Sequence, residues 1–439
     1  MAGAGLVGAA TVLPGTSVPV EERALMPAGY VSGGLACGIK ESGRPDLAVV
    51  ATTTEEPAAA AATFTRNRMA AAPVRLARAH LAATGDGARS AGRARAVIVT
   101  SGCANAATGP DGEADQAEVA RMLADRFGCP EIETLVASTG LIGTRLPLAR
   151  VRAGLERLVP GELSAEVEGL EAAARAIQTT DSRLKAAGAT LALPDVDGVA
   201  RSVTVAGISK GVGMIHPRMA TMIAIVLTDA TAAPPVLADL LLPAVAATFN
   251  QLTVDGDTST NDTVFFLANG AAGAREVAPG SREAGLLGDA LSAVCRSLAR
   301  QQAADGEGAT ALLTCRVTGA RDVEDARAVA RAVVGSSLFK AAVHGRDPNW
   351  GRVAAAAGAA SRRDGEPVAL AQERLSIGLC GTPVFLAAPL SFDREAVRSA
   401  MEGAEVLVEL DLGQGEGAAE AFGCDLSEEY VRENSEYST

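Results

Sequence analysis

The sequence predicts an α/β protein with two lobes, on three observations. Short apolar runs rich in Val and Ile are interleaved with Ala-rich segments of helical spacing. The apolar runs are continuous rather than alternating, as in strands buried on both faces. The length of 439 residues exceeds what one core of ordinary size organises.

The elements follow in order. Residues 1–26 are expected to be a poorly ordered extension, apolar at its start but interrupted by Pro14. Residues 47–51 and 96–100 read as buried strands. A helix is expected over 113–127, where Ala117, Val119, Ala120, Leu123 and Ala124 fall on one face, and another over 163–177. Residues 221–228 read as a buried strand that follows an irregular stretch containing Gly211, Gly213 and Pro217. Residues 234–249 read as a helix interrupted or kinked at Pro243. Further helices are expected over 326–334 and 394–402. Strand order is not legible.

Composition excludes several classes of function. The net charge is −13, and no Lys/Arg cluster supplies the footprint of a nucleic-acid binder. An acidic surface also disfavours anionic membranes, and no run approaches the roughly 18 apolar residues of a spanning helix. Seven widely spaced cysteines without a Cys-x-x-Cys pair indicate neither a disulfide framework nor a thiolate metal site, and fit a reducing cytoplasm.

Familiar catalytic motifs fail on inspection. Residues 255–262 look like a calcium loop, but Thr260 stands where glycine is required and Phe266 where a bidentate Glu is required. Asp255, Asp257 and Asn261 read better as scaffold for a turn. Residues 207–213 hold three glycines and Lys210, without the order of a phosphate loop. The three histidines, 80, 216 and 344, form no metal motif, and no Gly-x-Ser-x-Gly elbow occurs. Neither a metal nor a cofactor is expected. A threonine that becomes a chain terminus needs neither: its own α-amino group, with an ordinary pKa of about 7.7–8.0, can take its hydroxyl proton. Pattern alone does not choose among the many threonines.

Resemblance does. The segment Lys-Gly-Val-Gly-Met-Ile-His-Pro-Arg-Met-Ala-Thr-Met-Ile (210–223) resembles the autoproteolytic segment of the ornithine acetyltransferase family. That family is also called the glutamate N-acetyltransferase or arginine-biosynthesis bifunctional family. Matching segments extend over roughly 27–439. They include Gly-Ile-Lys-Glu-Ser-Gly-Arg-Pro-Asp (38–46), Ser-Gly-Cys-Ala-Asn-Ala (101–106) and Ala-Ser-Thr-Gly-Leu-Ile-Gly (137–143). Thr-Thr-Asp (179–181), Thr-Val-Asp-Gly-Asp-Thr-Ser-Thr-Asn-Asp (253–262) and Asp-Gly-Glu-Gly (305–308) follow. Asp-Pro-Asn-Trp-Gly-Arg (347–352) and Asn-Ser-Glu-Tyr-Ser-Thr (434–439) complete the set.

The resemblance implies an αββα sandwich of the N-terminal-nucleophile-like type with a second, smaller lobe. It implies self-cleavage between Ala220 and Thr221, giving an α chain, 27–220, and a β chain, 221–439, associated as α2β2. Thr221 would then be the nucleophile, with the Thr139 hydroxyl and Gly140 N–H as oxyanion donors. Lys210 would orient substrate and keep the Thr221 amine neutral. Glu307 would pair with a substrate ammonium, Thr179 or Thr180 would contact substrate, and Asn434 and Thr439 would complete the pocket. The acetyl group would pass from N-acetylornithine to glutamate or a related amine, with acetyl-CoA a further donor in the family.

The sequence departs from the family pattern at Cys103, Arg218, Ala311 and His344. These departures bear on the acceptor and also fit a paralogue of the type associated with clavulanic acid gene clusters. Two rival readings are an N-terminal-nucleophile amidohydrolase and an uncleaved, non-catalytic binding paralogue. Trp350 reads as a packing anchor.

Overall fold

The computed structural model describes residues 11–12, 18–87, 90–216 and 222–436. Ala220, Thr221 and Thr439 lie outside these residues. A short ribbon pairs β1 (Thr11–Val12) with β2 (Pro19–Val20).

Two larger sheets form the main lobe. The first is four-stranded, in the order β3 (Tyr30–Leu35), β4 (Leu47–Thr52), β7 (Ala96–Cys103), β8 (Thr134–Leu141). Every residue of β4 is buried, as its unbroken apolar run requires. The second sheet is six-stranded, in the order β6 (Ala91–Ala94), β5 (Ala58–Phe64), β12 (Thr263–Ala268), β11 (Ile223–Thr228), β10 (Ala200–Lys210), β9 (Lys185–Pro194).

The period of two along a strand divides β11 between two cores. Ile223, Ile225 and Leu227 join the core shared with the four-stranded sheet, and Ala224 and Val226 join the core on the opposite face. Helices α5 (Pro234–Ala247) and α6 (Arg282–Ala304) cover that opposite face. α1 (Ala72–Thr84), α2 (Gly109–Phe127), α3 (Leu148–Leu158) and α4 (Val167–Ile177) pack around the four-stranded sheet. The layers are those of an αββα sandwich.

The smaller lobe has its own core. Its sheet runs β16 (Ala388–Pro389), β15 (Thr382–Leu386), β14 (Ser376–Leu379), β17 (Glu405–Asp411), β13 (Leu312–Ala320), β18 (Gly417–Cys424). It packs with α7 (Val323–Val334), α8 (Ser337–His344), α9 (Trp350–Gly358) and α10 (Arg394–Ala400). Trp350 stacks on Phe385 with ring centroids 5.3 Å apart, an anchor within this core. The last helix is α11 (Glu428–Glu436).

Several expectations are revised. Residues 18–26 are not a loose extension: Val18, Val20 and Ala24 are buried, and Glu21 exchanges backbone hydrogen bonds with Gly188. α2 begins at Gly109 rather than 113, because Pro110 occupies its first turn, where no N–H is needed. α4 begins at Val167 rather than 163. α5 runs through Pro243 to Ala247 without a break, and a separate 3₁₀ turn follows at Phe249–Gln251.

Candidate active site

A cleft of about 240 Å³ opens where β8 and β10 end. Lys210 is the last residue of β10 and pairs in register with Ile223, the first of β11. Ile223 is in turn beside Thr263, the first residue of β12. Three strand ends therefore converge on the cleft, and β11 is the strand that residue 221 precedes in the chain.

β8 delivers Thr139 and Gly140, both lining the cleft. Gly140 has φ +126°, and a Cβ there would come within 2.4 Å of the Gly102 carbonyl carbon. Only glycine fits this turn without strain. Asn261 braces the strand from behind, its amide donating to the carbonyls of Ala104 at 2.7 Å and Ser138 at 2.8 Å. Asn261→Ala would leave these buried carbonyls without their donor. A loss of about 2 kcal/mol is expected, read from the denaturant midpoint.

Lys210 is 2% exposed, unlike an ordinary surface lysine. Its ammonium donates to Thr139 Oγ1 at 3.3 Å. Burial lowers its pKa below the usual lysine value, against the pull of Asp181. Its donation fills a lone pair of the Thr139 oxygen and leaves that hydroxyl's own proton free to be given elsewhere.

The opposite wall is anionic. Glu307 Oε1 accepts the Thr180 hydroxyl at 2.9 Å, and its Oε2 accepts the Asn434 amide at 2.9 Å. The carboxylate lies flat against Gly213, where any Cβ would come within 2.3 Å of Oε2. Thr179 and Thr180 both line the cleft, but only Thr180 reaches Glu307 through its side chain. Thr179 is fixed through its N–H, which donates to Asp181.

Burial and the nearby carboxylates Asp255 and Glu307 push Tyr430 up to about 12, so it stays a neutral phenol. Asp255 accepts the N–H groups of Met214, Ile215 and Asp257 and acts as scaffold for the loop.

The structure thus brings together Thr139, Gly140, Thr179, Thr180, Lys210, Glu307 and Asn434. Thr221, Ala220 and Thr439 are outside the described residues. Met222 N–H donates to Asp262 Oδ1 at 2.9 Å. Asp262 is fully buried, and burial raises its pKa well above the usual carboxylate value.

Sequence reasoning missed the ion network behind the cleft. Lys185, with its side chain wholly buried, contacts both Asp181 and Asp305. A motif marks both carboxylates, but nothing local marks the lysine. Among the departures from the family pattern, Cys103 donates to the Thr144 carbonyl, and His344 meets Asp425 at 2.8 Å. Asp425 also accepts from Thr310 and Ala311.

Among the described residues no group of three or more His, Cys, Asp or Glu could hold a metal, and no helix is long and apolar enough to cross a membrane.

Residues 31–439 match the ArgJ family. The chain is 44% identical over 423 residues to the arginine biosynthesis bifunctional protein ArgJ of Synechococcus sp., covering 94% of this chain and 96% of that relative. It is 43% identical over 414 residues to the protein of the same name from Thermus thermophilus, covering 94% and 99%. Among solved structures, the argJ protein of Bacillus halodurans is 37% identical. It superposes with a TM-score of 0.45, over 48% of this chain and 96% of that one. The ornithine acetyltransferase of Mycobacterium tuberculosis, solved with ornithine, is 39% identical with a TM-score of 0.38, over 45% and 95%. On its sequence match along almost its full length, the chain belongs to the ArgJ family.

Proposed function

We infer that the protein is an acyltransferase that cuts itself between Ala220 and Thr221 and then moves an acetyl group from N-acetylornithine to glutamate. The observation that carries this reading is the pairing of two features in one cleft. Thr139 and Gly140, from the end of β8, meet Lys210, from the end of the β10–β11 pair that adjoins residue 221 in the chain, and Glu307 lines the same cleft.

A single scission there divides the chain into residues 1–220 and 221–439. Thr221 Oγ attacks the acetyl carbonyl, and its proton passes to its own amine. The oxyanion accepts hydrogen bonds from the Thr139 hydroxyl and Gly140 N–H. The C–N bond breaks, the proton goes to the leaving ornithine amine, and acetyl-Thr221 remains. The amine of glutamate attacks this ester and the steps reverse. An amide is exchanged for an amide, so no external energy source is required. Glu307 holds the ammonium of ornithine, while Thr180 and Asn434 hold Glu307. Thr439 closes the pocket in the same reading. An α2β2 assembly, acetyl-CoA as an alternative donor and a cytoplasmic location complete it. The seven free thiols support the location.

The test is direct. Mass spectrometry of the purified protein should show a new polypeptide beginning Thr-Met-Ile-Ala, and N-acetylornithine with glutamate should yield N-acetylglutamate. Acetate as the sole acyl product points to a hydrolase, and an intact inert chain points to a binding protein. Glu307→Gln keeps the shape of the side chain and removes its charge. A charge-assisted hydrogen bond contributes about 1.5–3 kcal/mol, so kcat/KM for N-acetylornithine should fall about 10- to 100-fold. A donor lacking the side-chain amine should lose little.

A further inference from the structure

A second cavity, of about 630 Å³, opens beside the end of β5 and shares no lining residue with the cleft. Arg66, two residues beyond β5, lines it together with Arg78 of α1 and Arg363, beyond α9. Among the described residues no carboxylate lines it, in a chain whose net charge is −13. Arginines elsewhere, such as Arg145, Arg296 and Arg362, each meet a carboxylate. Arg66 has no hydrogen bond or ion pair among the described residues. Arg78 has no ion pair among them either; its guanidinium lies over the Phe64 ring, 5.2 Å from the centroid.

The wall between these cations is built for a ligand in two further ways. Thr63 lines the cavity at 8% exposure, and its hydroxyl has no hydrogen-bond partner among the described residues. A buried hydroxyl is costly unless something satisfies it. Phe64, Leu241 and Leu242 supply apolar surface, and Leu242 is 55% exposed on α5. Thr65 and Asn67, also in the wall, donate to the Ser259 carbonyl at 2.8 Å and the Thr258 carbonyl at 3.2 Å. Thr258 and Ser259 line the cleft, so the two sites are neighbours with separate linings.

We propose that this cavity is a binding site for an organic phosphate. A recess lined by one sign of charge concentrates the opposite ion. Guanidinium groups match phosphate oxygens in pairs, so Arg66, Arg78 and Arg363 hold the anionic end. The apolar or ring-bearing body lies against Phe64, Leu241 and Leu242, and the Thr63 hydroxyl gains a partner.

The experiment is titration calorimetry on the full protein at low ionic strength, with ADP, inorganic pyrophosphate and adenosine as probes. ADP should bind saturably and more tightly than pyrophosphate, and adenosine should bind far more weakly than either. Arg66→Gln and Arg78→Gln should each weaken ADP about 10-fold or more. Leu242→Glu, which puts a carboxylate at the rim, should weaken it as well. Lys210→Met, which removes a cation of the cleft, should leave ADP binding unchanged. Thermal unfolding checks that each variant is folded; if an arginine variant is not, Leu242→Glu on the exposed rim decides. Absence of ADP binding overturns the proposal. So does binding that survives the arginine variants and Leu242→Glu, or that is lost in Lys210→Met, since the ligand then sits elsewhere. Pyrophosphate binding as tightly as ADP overturns the organic class, because the apolar wall then takes no part.

Discussion

Thr221→Ala is expected to remain a single uncut polypeptide and to keep less than about a thousandth of the acyl transfer. The substitution removes one hydroxyl that serves twice. In the proposed mechanism it is first the group that attacks the Ala220 carbonyl, and later the group that carries the acetyl. Lys210, the amine among the described residues lining the cleft, is already engaged with Thr139. A denaturing gel reads the first role and N-acetylglutamate formation the second. The two roles separate in Thr221→Ser, which keeps the hydroxyl and should both cut and turn over, more slowly. An uncut Thr221→Ala protein with full turnover would refute the covalent mechanism.

The second large effect is expected at Thr139. Removing one donor of an oxyanion site typically costs about 2.7–4 kcal/mol, or roughly 10²–10³ in kcat. Thr139→Ala should lose that much while KM for N-acetylornithine changes little, because the bond is made in the transition state rather than in the ground state. Thr139→Ser, which keeps the hydroxyl, should recover most of the rate. The position is well placed for this reading: Lys210 bonds to the oxygen of Thr139, and Asn261 grips the carbonyl just before it. The preparation must first be checked for complete scission, since slow cutting would imitate slow turnover. An equal rise in KM with kcat intact would instead mark Thr139 as a ground-state contact.

Much of the architecture was legible in the chain. The continuous apolar runs at 47–51 and 96–100 became the doubly buried β4 and β7, since only central strands tolerate apolar residues on both faces. The helical face from Ala117 to Ala124 became the inner side of α2. The cleft was legible in a different way: Thr139, Gly140, the pair Thr179 and Thr180, Lys210, Glu307 and Asn434 were named by family motif, and their spacing along the chain held no hint that they meet. What escaped depends on distant partners. Lys185 reads as a solvated lysine until Asp305, 120 positions later, is folded against it. The path of α5 through Pro243 depends on packing against β5 and α6 rather than on local propensity. Strand order was out of reach because the parallel pairing of β11 with β12 is joined through the helical layer.

That strand order bears on when the proposed cleavage could occur. β11 sits between β10 and β12, and β12 lies against β5, so the two strands from after residue 220 are held between two pairs from before it. Halves made separately would meet as strangers in solution, each with raw strand edges, and would bear the entropy of a bimolecular encounter. Within an intact precursor the same edges find each other at the high effective concentration of a tethered pair. On the proposed cleavage, assembly comes before activation, and the peptide link between residues 220 and 221 would serve as a temporary leash, dispensable only once the laced sheet holds its own ends.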